Sequence, residues 1–285
     1  MGSTYSMSST STNSTSTFTD PPEVPEPQLD DTFDRLVDEG SARLARPWTT
    51  LVVTAFVGGI DIGTGVLAYL VVKQETGSGI LAGLAFSIGF VALLLAHSEL
   101  FTENFLVPVT AVVARRGTVA GLARLWLVSL IANLAGGWVV AWLIMQAFPQ
   151  LRATAVEVGT HYADLGINLR SLCMAVLAGM VITLMTRMQH ATESLGVQLV
   201  PALLFGSLLV VAQLFHCVLD SIMMFAALIS GKASFGYLDW LGALGWSVLG
   251  NIIGGVCLVA FLRLARVPHR IAEERSKVTR EESSA

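Results

Sequence analysis

Charge is scarce in this sequence. Aspartate, glutamate, lysine and arginine make up 13% of the 285 residues, against 53% hydrophobic ones, and the mean hydropathy is +0.66. That balance excludes an ordinary soluble domain and makes the bilayer the expected solvent. A net charge of −4 with no basic patch leaves nothing to attract nucleic acid. Cysteine is sparser still. Cys173, Cys217 and Cys257 each stand alone in apolar sequence, which excludes a disulfide framework or a CxxC site. The GxSxG elbow, the HExxH helix and the phosphate-binding loop are also missing, so no enzyme assembles from the Ser, His and Asp residues present. His97, Glu99 and Glu103 are metal-ligating types without matched partners, and neither metal nor cofactor is expected.

Long apolar runs take the place of what is missing. Six windows approach the length that crosses a hydrocarbon core: about 49–72, 80–97, 121–147, 169–186, 197–228 and 240–265. The expected fold class is all-α and integral to the membrane, and residues 48–266 read as one transmembrane channel domain. The second and fifth runs continue into polar, broken sequence. Residues 1–30 are rich in Ser, Thr and Pro, have too little apolar surface to offset the entropy of ordering, and read as a disordered cytoplasmic tail. No basic segment precedes an apolar core there, so a secretory signal is not expected. Residues 31–47 place Phe33, Leu36, Val37 and Leu44 at helical spacing, as in an amphipathic helix at the membrane surface. Residues 267–285 form a charged tail. With the N-terminus inside, only Lys73, Arg152, Arg170 and Lys232 of the 17 basic residues fall outside, which puts both termini in the cytoplasm.

The chain also repeats itself. His97 is followed 36 residues later by Asn133 in "NLAGG", and His216 is followed 35 residues later by Asn251 in "NIIGG". Two halves of three spans each would enter the membrane from opposite sides, with the permeation site at their matching broken helices. Those are "HSELFTENFLVP" and "FHCVLDSIMMF". Gly136, Gly137, Gly242, Gly245, Gly250, Gly254 and Gly255 read as close-packing positions between helices.

Polar groups inside such spans are tolerated only against protein or a water-filled cavity, and ionisable ones mark function by default. His216 is either a hydrogen-bonded clamp between helices or a pore histidine that exchanges protons near neutral pH. Asp220 shares its face if the helix is continuous. Asp61, flanked by glycines, either lines the pore or pairs with another polar group. Glu99 and Glu103 read as caps on half-helix ends.

At "SELFTEN", "FHCVLDSI" and "LGNIIGG" the sequence resembles the formate/nitrite transporter family of small-anion channels, over about residues 31–266. The resemblance implies an aquaporin-like protomer of six spans in two inverted three-helix repeats, with the second and fifth helices broken. It also implies a homopentamer with one pore per protomer, in lipid, at a bacterial inner (plasma) membrane. His216 matches the family's central histidine, Thr102 its facing threonine and Asn251 the asparagine that holds the histidine. Phe86, Phe90, Leu100, Phe101 and Leu209 fall where the family has apolar constrictions. Asp220 joins the pore set, and Asp61, Glu99 and Glu103 are secondary candidates. This chain departs from the pattern with Phe215 in place of Glu, Asp220 in place of Asn, Glu103 in place of Gly, Val176 near the place of an Asn, and no lysine between residues 152 and 170.

The function implied is a channel or transporter for small monovalent anions or their weak acids, such as formate, nitrite, acetate or hydrosulfide, linked to protons through the histidine. The acidic departures keep open a neutral-solute or cation-tolerant channel, and a membrane scaffold with a closed pore is the reading from another class. The lack of two NPA repeats argues against an ordinary aquaporin.

Overall fold

The computed structural model describes residues 27–284, with side chains from residue 31 onward. The Ser/Thr-rich stretch up to residue 26 lies outside the described residues. Every regular element is helical. Five stretches are long and apolar enough to cross a bilayer: Trp48–Thr76, Gly79–Ala96, Val119–Ala147, Leu169–His190 and Tyr237–Leu264. The fifth run, expected to be broken, divides into two helices, Leu195–Val211 and Cys217–Ile229, each too short to cross alone.

Helix α1 (Pro27–Leu44) starts earlier than the amphipathic pattern suggests. Its apolar residues face protein: Phe33 and Val37 pack with Ala114, Leu264 and Val267, and Leu44 packs with Leu51, Ala111 and Leu125. Helix α2 (Trp48–Thr76) follows Pro47 and ends at Gly77, whose φ of 66° suits a left-handed cap accepted by few other residues. At 29 residues it is about 43 Å long, more than a hydrocarbon core needs.

Next come α3 (Gly79–Phe86) and α4 (Ile88–Leu95), a 3₁₀ turn (Phe101–Phe105), and α5 (Val107–Val113). Ser87 interrupts the first two, its Oγ donating to Leu203 O at 2.9 Å and lying 2.8 Å from Ser207 Oγ. Helix α6 (Val119–Ala147) is capped by Thr118, α7 (Arg152–Asp164) packs on the later half-helix, and α8 (Leu169–His190) starts from an Asn168–Ser171 capping box. Then come α9 (Leu195–Val211), α10 (Cys217–Ile229), and α11 (Tyr237–Ile252), which runs through wider π turns (Ile253–Phe261) into α12 (Leu262–Leu264). Helix α13 (Pro268–Ser284) occupies the expected charged tail and is tied back to the body by Arg116 to Glu274 and Glu281.

Two helix pairs form the frame, each closed by glycine. A Cβ on Gly59 would sit 2.1 Å from Asn133 O and one on Gly136 2.1 Å from Phe56 O, so α2 and α6 touch backbone to backbone. In the second pair, a Cβ on Gly179 would sit 2.0 Å from Asn251 O and one on Gly254 1.9 Å from Val176 O. Small residues permit this approach, and in lipid packing of this kind is a main source of helix association. Gly242 and Gly245 differ from the sequence expectation: a Cβ on either meets nothing within 4 Å among the described residues, so they close no helix pair inside this chain.

Candidate pore site

Both broken stretches stop their first helix in the same way. His97 (φ 52°) and Gln213 (φ 50°) take the left-handed conformation, uncommon for residues with a Cβ. The next N–H in each case, Ser98 and Leu214, donates to a carbonyl five residues back, Leu93 O at 3.1 Å and Leu209 O at 3.0 Å. These are the bonds of a Schellman stop, which leaves the following residues extended and their backbone groups unpaired.

One asparagine supplies the missing partners in each stretch. Asn133 on α6 accepts from Phe101 N–H at 2.8 Å and donates to Glu99 O at 2.8 Å and Ala55 O at 2.6 Å. Asn251 on α11 accepts from Cys217 N–H at 3.0 Å and donates to Phe215 O at 2.9 Å and Ala175 O at 2.8 Å. Both side chains are fully buried, where each unpaired backbone group would cost about 1–3 kcal/mol. Asn251 therefore holds the histidine segment, as expected, and Asn133, read from sequence only as a repeat marker, does the same for the threonine segment.

His216 is the N-cap of α10. Its Nδ1 accepts the Leu219 N–H at 3.1 Å, while its own N–H donates to Asp220 Oδ2 at 2.7 Å. The helix does break at His216, so Asp220 meets its backbone rather than sharing its helical face. An accepting Nδ1 carries no proton, which assigns the proton to Nε2. Nε2 lies 2.9 Å from Thr102 Oγ1 and donates to it. The Thr102 hydroxyl keeps its own proton to offer elsewhere. His216, Thr102 and Asn251 have no exposure and Asp220 has 1%, so the centre is closed in this conformation.

The residues that flank it in sequence belong to the apolar core: Leu100 and Phe101 before Thr102, and Phe215 and Cys217 on either side of His216. Phe86, Phe90, Leu100, Phe101 and Leu209 are all buried in one core. Phe86 and Phe90 meet edge to face at 5.8 Å, and Phe101 packs against Phe105 and Trp126 at 5.1 and 6.3 Å. Phe215 stacks on Tyr162 at 6.4 Å. Asp61 is outside this set: it stands on α2 where Gly89 of α4 crosses, and its Oδ2 is buried with no hydrogen-bond partner among the described residues.

Glu99 does not cap the half-helix that follows, because arginines from the α1 end of the chain reach it first, and Glu103 makes no capping hydrogen bond among the described residues. Arg46 forms an ion pair with Glu99, and Arg43 lies 3.5 Å from Glu99 and donates to Asn104 Oδ1 at 3.1 Å. These groups, with Glu103, Glu39 and His190, line a cavity of about 300 Å³ beneath α1. Burial works against the Glu39 carboxylate, yet the bond from His190 at 2.9 Å and the adjacent Arg43 bring its pKa down to about 2. Sequence reasoning missed this vestibule, since its members are as far apart as residues 39 and 190.

A bundle of apolar helices, two of them broken around a buried histidine and threonine, defines a membrane channel or transporter. Similarity narrows the class. The family model described as "Formate/nitrite transporter" matches residues 30–265. An inner membrane protein of Escherichia coli (strain K12), YfdC, is 26% identical over 262 residues, covering 86% of this chain and 82% of that one. A solved "FNT family ion channel" superposes with a TM-score of 0.75 at 17% identity, covering 84% of this chain and 99% of its own. A "Pentameric formate channel with formate bound" gives 0.64 at 22% identity, covering 76% and 96%. The chain belongs to the formate/nitrite transporter family. It is a transmembrane channel or transporter for small anions, and transport rather than catalysis is its activity.

Proposed function

We propose that this chain forms a weak-acid pore in which His216 and Thr102 receive a small monovalent anion, of the kind of formate, nitrite, acetate or hydrosulfide, as it sheds water. The observation that carries this reading is the fixed tautomer: Nδ1 is occupied by the α10 backbone, and Nε2–H feeds Thr102. A bare anion meets a steep barrier at apolar rings, whereas its neutral acid crosses at much lower cost. The Thr102 hydroxyl and the histidine behind it would supply a strong hydrogen bond or a proton at that point. Phe86, Phe90, Leu100, Phe101 and Leu209 are assigned as the constriction, and Asn251 and Asp220 as the groups that hold His216.

The finer architecture belongs to the same proposal. The matched pairs His97 and Gln213, Asn133 and Asn251, and Gly136 and Gly254 support two inverted halves of three spans, the half-helices α9 and α10 together making one span. The pentameric formate channel supports a ring of five, and the E. coli inner membrane protein supports the same membrane for this chain. The distribution of arginine supports cytoplasmic termini. A neutral-solute or cation-tolerant channel is favoured by one feature, the partnerless buried oxygens of Asp61 and Asp220.

Stopped-flow uptake into proteoliposomes with internal pH reporting separates the two. Formate, nitrite, acetate or hydrosulfide flux that is lost or made pH-insensitive in His216→Ala is the expected result. Swelling in glycerol or urea without weak-acid flux would replace the reading with the second one.

A further inference from the structure

We infer that Glu103 is a proton-exchange site at the pore mouth beneath α1, where the weak-acid permeant gains or loses its proton. The inference rests on the anion-pore reading above. Side chains of a 3₁₀ turn diverge by about 120° from one residue to the next. In the turn Phe101–Phe105, Thr102 consequently meets His216 while Glu103 lines the 300 Å³ cavity. Glu103 is 8% exposed, and no hydrogen bond or ion pair reaches its carboxyl among the described residues.

The charged and titratable groups around the cavity are Arg35, Glu39 and Arg43 from α1, Arg46 from the link to α2, and His97 and Glu99 from the break. His190 and Glu193 complete the set from the end of α8. The other carboxyls are committed. Glu39 is bound by Arg43 and His190, Glu99 by Arg46 and Arg43, and Glu193 by Arg35 at 3.3 Å. Among the described carboxyls that line the cavity, only that of Glu103 can take up or release a proton without dissolving an ion pair. The same commitments argue against a resident anion, because the arginines are already neutralised, and against a resident metal cation, because Arg43 and Arg46 flank the carboxyls.

The step is a simple exchange. The carboxyl O–H bond of Glu103 breaks, its electron pair stays on the carboxylate, and the proton forms an O–H or S–H bond on the entering anion. A hydronium ion from the vestibule restores the carboxyl, and efflux runs the reverse. The neutral acid then faces the apolar rings one residue away from Thr102.

The test is formate flux into proteoliposomes held at the same pH on both sides, from about pH 5 to about pH 8, for wild type, Glu103→Gln and Glu103→Asp. Glu103→Gln is expected to lower the rate on the order of a hundredfold and flatten its pH dependence, with Glu103→Asp keeping the wild-type profile. A Glu103→Gln protein with the wild-type rate and profile overturns the inference. Should that variant fail to fold, wild-type protein treated with dicyclohexylcarbodiimide decides: modification of Glu103 that blocks flux supports the site, and flux unaffected by a modified Glu103, or no modification there, overturns it. A wild type that carries no weak-acid anion at any pH refutes the anion-pore reading itself, a result distinct from a normal Glu103→Gln.

Discussion

The two broken stretches share a backbone and differ in chemistry. Each ends a helix at a left-handed residue, and each is then held by an asparagine through one accepted and two donated bonds. The first leads to Glu99 and Glu103, facing arginines in a polar cavity, and to Thr102. The second leads to His216, fully buried between the core residues Phe215 and Cys217 and held by Asp220. A doubled scaffold thus carries unlike groups to one meeting point. Matched backbones govern whether the halves fold, and unmatched side chains govern what passes.

The largest effect should come from breaking what the stretches share. Asn133→Leu and Asn251→Leu each strand two backbone groups of a broken stretch at about 1–3 kcal/mol apiece, a large share of a typical domain's stability. Both variants should be lost from detergent-solubilised protein in thermal melts by gel filtration, and loss of only one would break the equivalence. Breaking what differs should spare the fold. Thr102→Val is expected to keep the assembled protein yet lose formate flux on the order of a hundredfold, since it removes only the hydroxyl facing Nε2, while Thr102→Ser retains flux. A Val variant with normal flux would detach the threonine from transport.

Smaller and sharper is the Asp220 pair. Asn keeps an acceptor for the His216 N–H, so Asp220→Asn should melt close to wild type, whereas Asp220→Leu should lose about 1–3 kcal/mol. Equal melting of the two would show that the bond to His216 contributes nothing. The smallest effect concerns pH at the first break. The Glu39 pKa is depressed, so the stability its pairing contributes is full above the ordinary carboxylate range and is lost only as pH falls toward about 2. Protection of α1 from protease should therefore be unchanged between about pH 8 and pH 5 as far as Glu39 governs it. In Glu39→Gln, release of α1 should appear at every pH in that range.

Much of the fold was legible because apolar length is a local signal. The windows near 49–72, 80–97, 121–147, 169–186 and 240–265 all fall on long apolar helices. The break in the fifth run, 197–228, was legible at "FHCVLDSIMMF", but its exact bounds were not, because they depend on a left-handed Gln213 that ends one helix and a His216 side chain that caps the next. His216, Thr102 and Asn251 were readable from motifs, and the structure brings all three together. Their hydrogen-bond roles were not readable, since the tautomer depends on the Leu219 N–H. Glu99 was misread as a cap for a related reason: its partners lie 53 and 56 residues away, at Arg46 and Arg43. Gly242 and Gly245 matched a packing pattern, but a Cβ on either meets nothing within 4 Å among the described residues, because helical spacing of small residues states a possibility and not a contact.

The central claim is that His216 is a neutral imidazole with its proton on Nε2, pointed at Thr102. Nitrogen-15 magnetic resonance of histidine-labelled protein in bilayers at neutral pH measures this directly, with the His216→Ala spectrum subtracted to assign the signal. The account predicts one protonated nitrogen at Nε2 and one bare nitrogen at Nδ1. A proton on Nδ1 would contradict it, because that nitrogen could not then accept the Leu219 N–H and Thr102 would no longer receive a donor from the ring.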